Sequence, residues 1–397
     1  MAILTSVTPK KNLGGTIRSR DPYTTYALLK PLLPKFGITR VADVTGLDSI
    51  NIPVSVCIRP NGKSLATSQG KGISQILAKV SAIMESVETY HAENLSNAHI
   101  VGSYNQMVDK YSEDNVLNPT VLMPGNHWSR YSPDLTLDWL AGRDLLTEEA
   151  VYVPRGYVCL DTTKPYRDRE LFYTSSNGLA SGNSLAEAIT HGLYEVIERD
   201  CKWRWFHLSE EKQFDTVVDN QTVDSSWLQS LIEKFEQAGV DVFLWDMTSE
   251  FGIPTYSCII QEQANLCRSL GLFKGSGCHS SKEIALSRAM TEAAQSRLTV
   301  ISGSRDDVFP SRYIDSQADA QIPLHEILAQ RTHDKKLDFR LARELQLTDS
   351  FEGDLLQVST RLEEEGFKKI IYVNHTKPEF GIPVVHVIVP GLRRLKD

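Results

Sequence analysis

Three times along this chain a glycine-bearing segment runs directly into a helical pattern whose polar residues share one narrow stripe. SQGKG at 68–72 precedes a pattern over about 73–92, NGLASG at 177–182 one that reaches Asp200, and GSGCH at 275–279 one over about 282–302. A helix turns roughly 100° per residue, so spacings of four and three keep side chains on one face. The first stripe holds Ser81, Glu85 and Glu88, the second Glu187, His191, Glu195 and Glu198, and the third Arg288, Glu292 and Gln295. Leu185, Ile189, Leu193, Val196 and Ile197 fall opposite the second stripe. One such stripe alone is an ordinary solvated face. Three of matching build point to one site assembled from several helices, and this constrains the fold.

The chemistry of that site follows from its residue types. Together the units supply the carboxylates Glu85, Glu88, Glu187, Glu195 and Glu198, a further Glu292, and the cations Lys71, Arg199 and Arg288. Two like charges about 4 Å apart repel by roughly 4 kcal/mol at an effective dielectric near 20. A carboxylate cluster therefore needs divalent cations or raised pKa values. Mg²⁺ takes oxygen ligands and completes its shell with substrate phosphates. Lys71 stands just before a helix start, a place suited to an anion. The mixture fits binding of Mg²⁺ with a nucleotide, the glutamates on the metal and the cations on phosphate oxygens. The common nucleotide fingerprints are missing. GKS at 62–64 has Cys57 where a P-loop needs its first glycine, GSGCHS lacks the third glycine of a dinucleotide loop, and the kinase signatures are absent.

Composition narrows the class. The 397 residues, 41% hydrophobic and 23% charged, suit a soluble globular protein of two or three ordinary domains or one large composite one. A net charge of -8 argues against a nucleic-acid partner held through phosphates. The first residues, MAILTSVTPKK, contain no secretory apolar region, and no apolar run is long enough to span a membrane. The run around 382–392 is broken by His386 and Pro390 and suits a buried strand. Six scattered cysteines without a C-x-x-C pair indicate free thiols in a reducing cytoplasm and argue against zinc. Cys278 and Cys201 are expected as small buried thiols.

Between the units the pattern alternates strands and helices, so the fold class is α/β with mixed sheets packed against helices. Helices are expected over 23–35, 227–238 and 355–366, and strands over 38–48, 52–59, 139–144, 150–154, 240–245, 255–261, 269–273, 369–374 and 383–389. Trp203, Trp205 and Phe206 are expected to end the second helix in the core, and 304–337 is a polar excursion.

With these stretches together, the sequence resembles the YcaO family. The resemblance is carried by GKG followed by Ser81, Glu85 and Glu88, by NGLASG followed by Glu187 and the run Glu195-V-I-Glu198-Arg199-Asp200, by Arg288, Glu292 and Gln295, and by GITRVADVTGLDSINIPV at 37–54. It covers most of the chain and implies a single composite domain over 1–397. This would comprise an N-terminal segment (1–60), an ATP-binding core without a P-loop (61–303) and a C-terminal portion (304–397). It implies ATP-dependent phosphorylation of a backbone amide oxygen in a peptide or protein, followed by azoline formation or, with external sulfide, thioamide formation. Carried over by motif, Glu85, Glu88, Glu195 and Glu198 are the expected Mg²⁺ ligands. Ser81, Asn183, Glu187, Arg199, Arg288 and Gln295 are the expected ATP contacts, with Lys11 and Thr16 as weaker matches. Lys71 and Glu292 join the nucleotide-binding set, and Glu195, Glu198, Arg199 and His279 the catalytic set. His279 is read both as a general base and as a structural hydrogen-bonder. Two departures stand out. Thr89 follows Glu88 where the family often has arginine, and the chain ends in PGLRRLKD rather than a proline-rich tail. The second favours the thioamide branch, or another non-azoline branch, over azoline formation, and the near-complete polar set argues against the alternative of a non-catalytic peptide-binding scaffold. A separate TfuA-like partner and a homodimer are the further implications.

Overall fold

Each of the three units folds as a strand, a tight turn and a long helix. The first is Thr67–Lys71 with Gln75–Glu93, the second Leu179–Ser181 with Leu185–Phe206, and the third Leu272–Cys278 with Lys282–Ser302. The glycine segments expected as loops are therefore largely strand. The reason is close approach of strand and helix. A Cβ on Gly70 would lie 2.0 Å from the Ala82 nitrogen, and one on Gly275 2.1 Å from the Ala289 oxygen. Glycine on the strand and alanine on the helix let the two backbones touch. Serine opens each helix, and the Ser184 hydroxyl accepts from the Glu187 backbone N–H at 3.1 Å.

The computed structural model describes all residues except 1–2, 96–98, 124–129, 165–168, 264–269, 306, 308–310, 312–323, 333–334 and 394–397. Cys267, residue 269 and most of the polar excursion lie outside that set. Each unit strand sits at the end of a different sheet. Thr67–Lys71 closes a three-stranded sheet after Arg40–Asp43 and Val54–Ile58. Leu272–Cys278 closes a four-stranded sheet after Val217–Val218, Val240–Asp246 and Thr255–Glu262. Leu179–Ser181 ends the largest sheet, in the order Ile100–Ser103, Thr136–Asp144, Ile371–Asn374, Val384–Ile388, Leu179–Ser181, with Ala150–Pro154 also paired to Thr136–Asp144. The described strands in these sheets all pair antiparallel, so the mixture is of helices and sheets rather than of strand directions. A short hairpin, Lys11–Asn12 with Ile17–Arg18, precedes them.

The helix of the second unit buries Leu193 and Ile197 against Val385 and Val387, and that of the third buries Ala285, Ala289 and Ala293 over Tyr256 and Cys258. Local boundaries shift where proline or exposure intervenes. The first helix is Pro22–Leu29 and tightens into a 3-10 segment, Lys30–Phe36, around Pro34. At the end of the second unit Trp205 is buried but Phe206 is 41% exposed, so only part of that aromatic group enters the core.

Candidate functional site

The three polar stripes line one cavity of about 480 Å³. Ser81, Glu85 and Glu88 come from the first helix, Asn183 and Glu187, His191, Glu195, Glu198 and Arg199 from the second unit, and Arg288, Glu292 and Gln295 from the third. Lys71 completes the wall from the first strand. In all, six carboxylates (Glu85, Glu88, Glu187, Glu195, Glu198, Glu292) face six cationic side chains (Arg18, Arg20, Lys71, Arg199, Arg288, Arg305).

The units hold one another's carboxylates in a ring. Ser181, ending the second strand, donates its backbone N–H and hydroxyl to Glu88 of the first helix at 2.8 and 2.7 Å. Ser276 of the third strand donates to Glu198 of the second helix at 2.7 Å. Lys71 of the first strand donates to Glu292 of the third helix at 2.8 Å. Within the first unit the Gln69 N–H donates to Glu85 at 3.1 Å. The acids are thereby aimed across the junction of three sheet edges rather than outward.

Their electrostatics split into two groups. Burial pushes Glu88 up to about 8 despite the Ser181 hydrogen bonds, with Glu85 adding to the rise. Burial likewise lifts Glu195 to about 7 against the pull of Arg199, and Glu85 is raised by its own burial. Glu292 goes the other way, to about 2, because Lys71 and Arg199 outweigh its burial. Arg199 stands 3.6 Å from Glu195 and 3.5 Å from Glu198, and these acids hold its guanidinium charged against burial. The Arg288 Nε and the His191 Nε2 are buried without a hydrogen-bond partner. His191 is held neutral by burial and by Arg18 and Arg288.

This donor set fits Mg²⁺ with a phosphate chain. The raised carboxylates are short of positive charge, and the Arg288 Nε, buried without a partner, is open to an anion. Among the described residues no three His, Cys, Asp or Glu side chains already converge as a metal cage. Mg²⁺ ordinarily takes one or two carboxylates and completes its shell with water and phosphate, so no such cage is required.

Two expectations move. His279 does not line the cavity. It is buried against Tyr194, its Nδ1 accepts from the Ser281 N–H at 3.0 Å, and burial and Arg288 hold it well below the usual imidazole range. Its structural role displaces the general-base reading. Lys11 is exposed in the hairpin and away from the lining, whereas Thr16 lines it. GKS at 62–64 is bracing. The Ser64 N–H and hydroxyl donate to Glu93, and Lys63 meets Asp161 at 3.2 Å. Thr89 is met by Arg59, whose Nη2 donates to it at 3.1 Å while Nη1 pairs with Glu93 at 2.5 Å. Sequence reasoning missed Arg18, Ser19, Arg20 and Ser276. Ser19 donates to Glu187 from backbone (3.0 Å) and hydroxyl (2.5 Å), and Arg18 stands 4.0 Å from the same carboxylate. No local spacing signals a contact across so many residues. Ser276, inside the third glycine segment, was the nearest to legible.

A profile of the YcaO cyclodehydratase family, described as ATP- and Mg²⁺-binding, matches residues 69–393. The chain belongs to the YcaO family. This YcaO protein is 35% identical over 388 residues to an uncharacterized protein in the tfuA 3′ region of Rhizobium leguminosarum bv. trifolii, covering 94% of this chain and 88% of that one. It is also 35% identical over 366 residues to an uncharacterized protein of Methanothermobacter thermautotrophicus, covering 91% of each. Among solved structures, YcaO from Methanopyrus kandleri bound with AMPPCP and Mg²⁺ superposes with a TM-score of 0.76 at 23% identity, over 97% of this chain and 94% of that one. A heterocyclase in complex with substrate and cofactor gives 0.80 at 20% identity over 99% of this chain, which spans 55% of that longer one. These structural likenesses establish the fold. Among the described residues no helix is long and apolar enough to cross a membrane.

Proposed function

We propose that this YcaO protein uses ATP and Mg²⁺ to activate a backbone amide of a peptide or protein, for replacement of the amide oxygen by sulfur from an external donor. The observation that carries the proposal is the matched set of six acids and six cations in one cavity. A bare metal would need only the first, and a bare anion only the second. Glu85, Glu88, Glu195 and Glu198 hold the metal. Lys71, Arg199 and Arg288 meet phosphate oxygens, and Ser81, Asn183, Glu187, Glu292 and Gln295 orient the nucleotide. ATP, when bound, supplies the phosphoryl group that turns a poor leaving oxygen into a good one. The protein's share is positioning and charge neutralisation. The preference for sulfur is supported by the 35% identical relative from a tfuA 3′ region, which favours a separate TfuA-like partner.

Substituting Glu195→Gln or Glu198→Gln should lower ATP turnover by about 10²–10³-fold while circular dichroism stays unchanged. Unchanged turnover in both variants would sink the proposal. Mass spectrometry of substrate after reaction separates the branches, because exchange of oxygen for sulfur marks a thioamide and loss of water an azoline.

A further inference from the structure

A pocket of about 250 Å³ opens beside the charged cavity and shares Arg20, Thr25, Met84 and Asn183 with it. Beyond that shared rim its wall is mostly hydrocarbon, chiefly Leu28, Leu32, Phe380 and Ile382. Leu28 is 53% exposed although it lies beside a charged site. Covering such a side chain is favourable by about 25 cal/mol per Å² of apolar surface. The volume falls below the roughly 300–1,000 Å³ of sites that hold whole drug-sized ligands, so the pocket suits a single side chain.

Apart from Arg20, the polar side chains at the rim, Thr25 and Asn183, are already engaged. The Thr25 hydroxyl lies 2.8 Å from the Asn183 Oδ1 and 3.0 Å from the Asp21 carbonyl oxygen. The Asn183 amide donates to both oxygens of Glu187, at 3.2 and 3.3 Å. A heteroaromatic base placed here would find only Arg20 as a side-chain donor for its several ring nitrogens, and each one left unsatisfied costs about 1–3 kcal/mol. A hydrocarbon side chain carries no such cost. Arg20 stands at the junction of the two spaces, and its guanidinium donors suit the main-chain carbonyls of an extended peptide.

We propose that this pocket takes an apolar side chain of the peptide or protein substrate, close in sequence to the amide presented to the carboxylates. The inference rests on the amide-activating reading above and adds a rule of substrate choice: a large apolar residue near the modified position.

The test uses the full chain and capped amino acids as probes, followed by saturation-transfer NMR in the presence of Mg²⁺ and AMPPCP. N-acetyl-leucinamide and N-acetyl-phenylalaninamide should bind about tenfold more tightly than N-acetyl-glycinamide. Leu32→Trp, which fills the pocket, and Leu28→Lys, which charges its mouth, should both remove that preference. Calorimetry should show AMPPCP affinity unchanged within about twofold in both variants, because neither side chain lines the charged cavity. Equal binding of the three probes overturns the inference. So does a fall in AMPPCP affinity in Leu32→Trp, which would give the pocket to the nucleobase. Failure of the wild-type protein to bind AMPPCP with Mg²⁺ overturns the amide-activating reading instead.

Discussion

The helix Lys282–Ser302 carries two arginines with opposite surroundings. Arg297 is buried and fully answered, its Nε 3.0 Å from Asp48 and its Nη2 2.7 Å from Glu262. Arg288, nine residues earlier and so about half a turn out of phase, faces the cavity with its Nε unpartnered. The same contrast holds for acids. Glu93 is closed off by Arg59 and Ser64, whereas Glu85, Glu88 and Glu195 stay short of cations and are pushed up. Where charge braces the fold, this chain supplies the counter-charge itself. Where charge is left over, on both signs and in one cavity, the missing partners come from solution.

The largest expected break in that contrast is Arg297→Leu. It strands Asp48 and Glu262 and should lower stability by about 3–5 kcal/mol in urea unfolding. Arg288→Leu strands no partner, so its unfolding midpoint should stay close to wild type while AMPPCP affinity falls. Equal destabilisation by both would erase the distinction. Next comes Gly275→Ala, which forces a Cβ onto the Ala289 carbonyl and should cost about 1–3 kcal/mol, together with nucleotide binding, as the third helix is displaced. The smallest effect is a slope with pH. Glu88 titrates near 8 in the folded protein and from 4.5 as its ordinary value. Between those values the unfolded chain releases a proton that the folded one keeps, so stability falls as pH rises. Glu88→Gln should flatten that slope, leaving the part contributed by the raised Glu85 and Glu195, and wild type should regain stability on adding Mg²⁺ with AMPPCP. A Glu88→Gln curve parallel to wild type would show that this carboxylate is not the one short of a cation.

The helices and stripes were legible because helical spacing places every fourth and third residue together whatever the tertiary context. Ser81, Glu85, Glu88, Asn183, Glu187, Glu195, Glu198, Arg199, Arg288, Glu292 and Gln295 all reach the lining. The glycine-bearing strands before them were not legible as strands, save for the first residues of Leu272–Cys278. TSQGK and LFKGSGC contain glycine for a tertiary reason, the passage of a helix close overhead, and local propensity reads that glycine as a loop. Arg18 and Ser19 were hidden for a related reason, because Glu187 lies 168 residues from Ser19 and nothing nearby announces the pairing. His279 misled because adjacency to a glycine segment suggests access, whereas the turn that starts the third helix turns its ring inward.

The ring of exchanged contacts has a consequence for how the protein is made. Ser181 serves the first helix, Ser276 the second, and Lys71 the third, so no two units complete a site without the remaining one. Asp200, one residue past Arg199, also accepts from the backbone N–H of Arg393 at 2.9 Å. A nascent chain still on the ribosome with its first two units emerged therefore has unmatched acids and an incomplete cavity. The full set of acids and cations that lines the cavity is therefore present only once the third helix has been made.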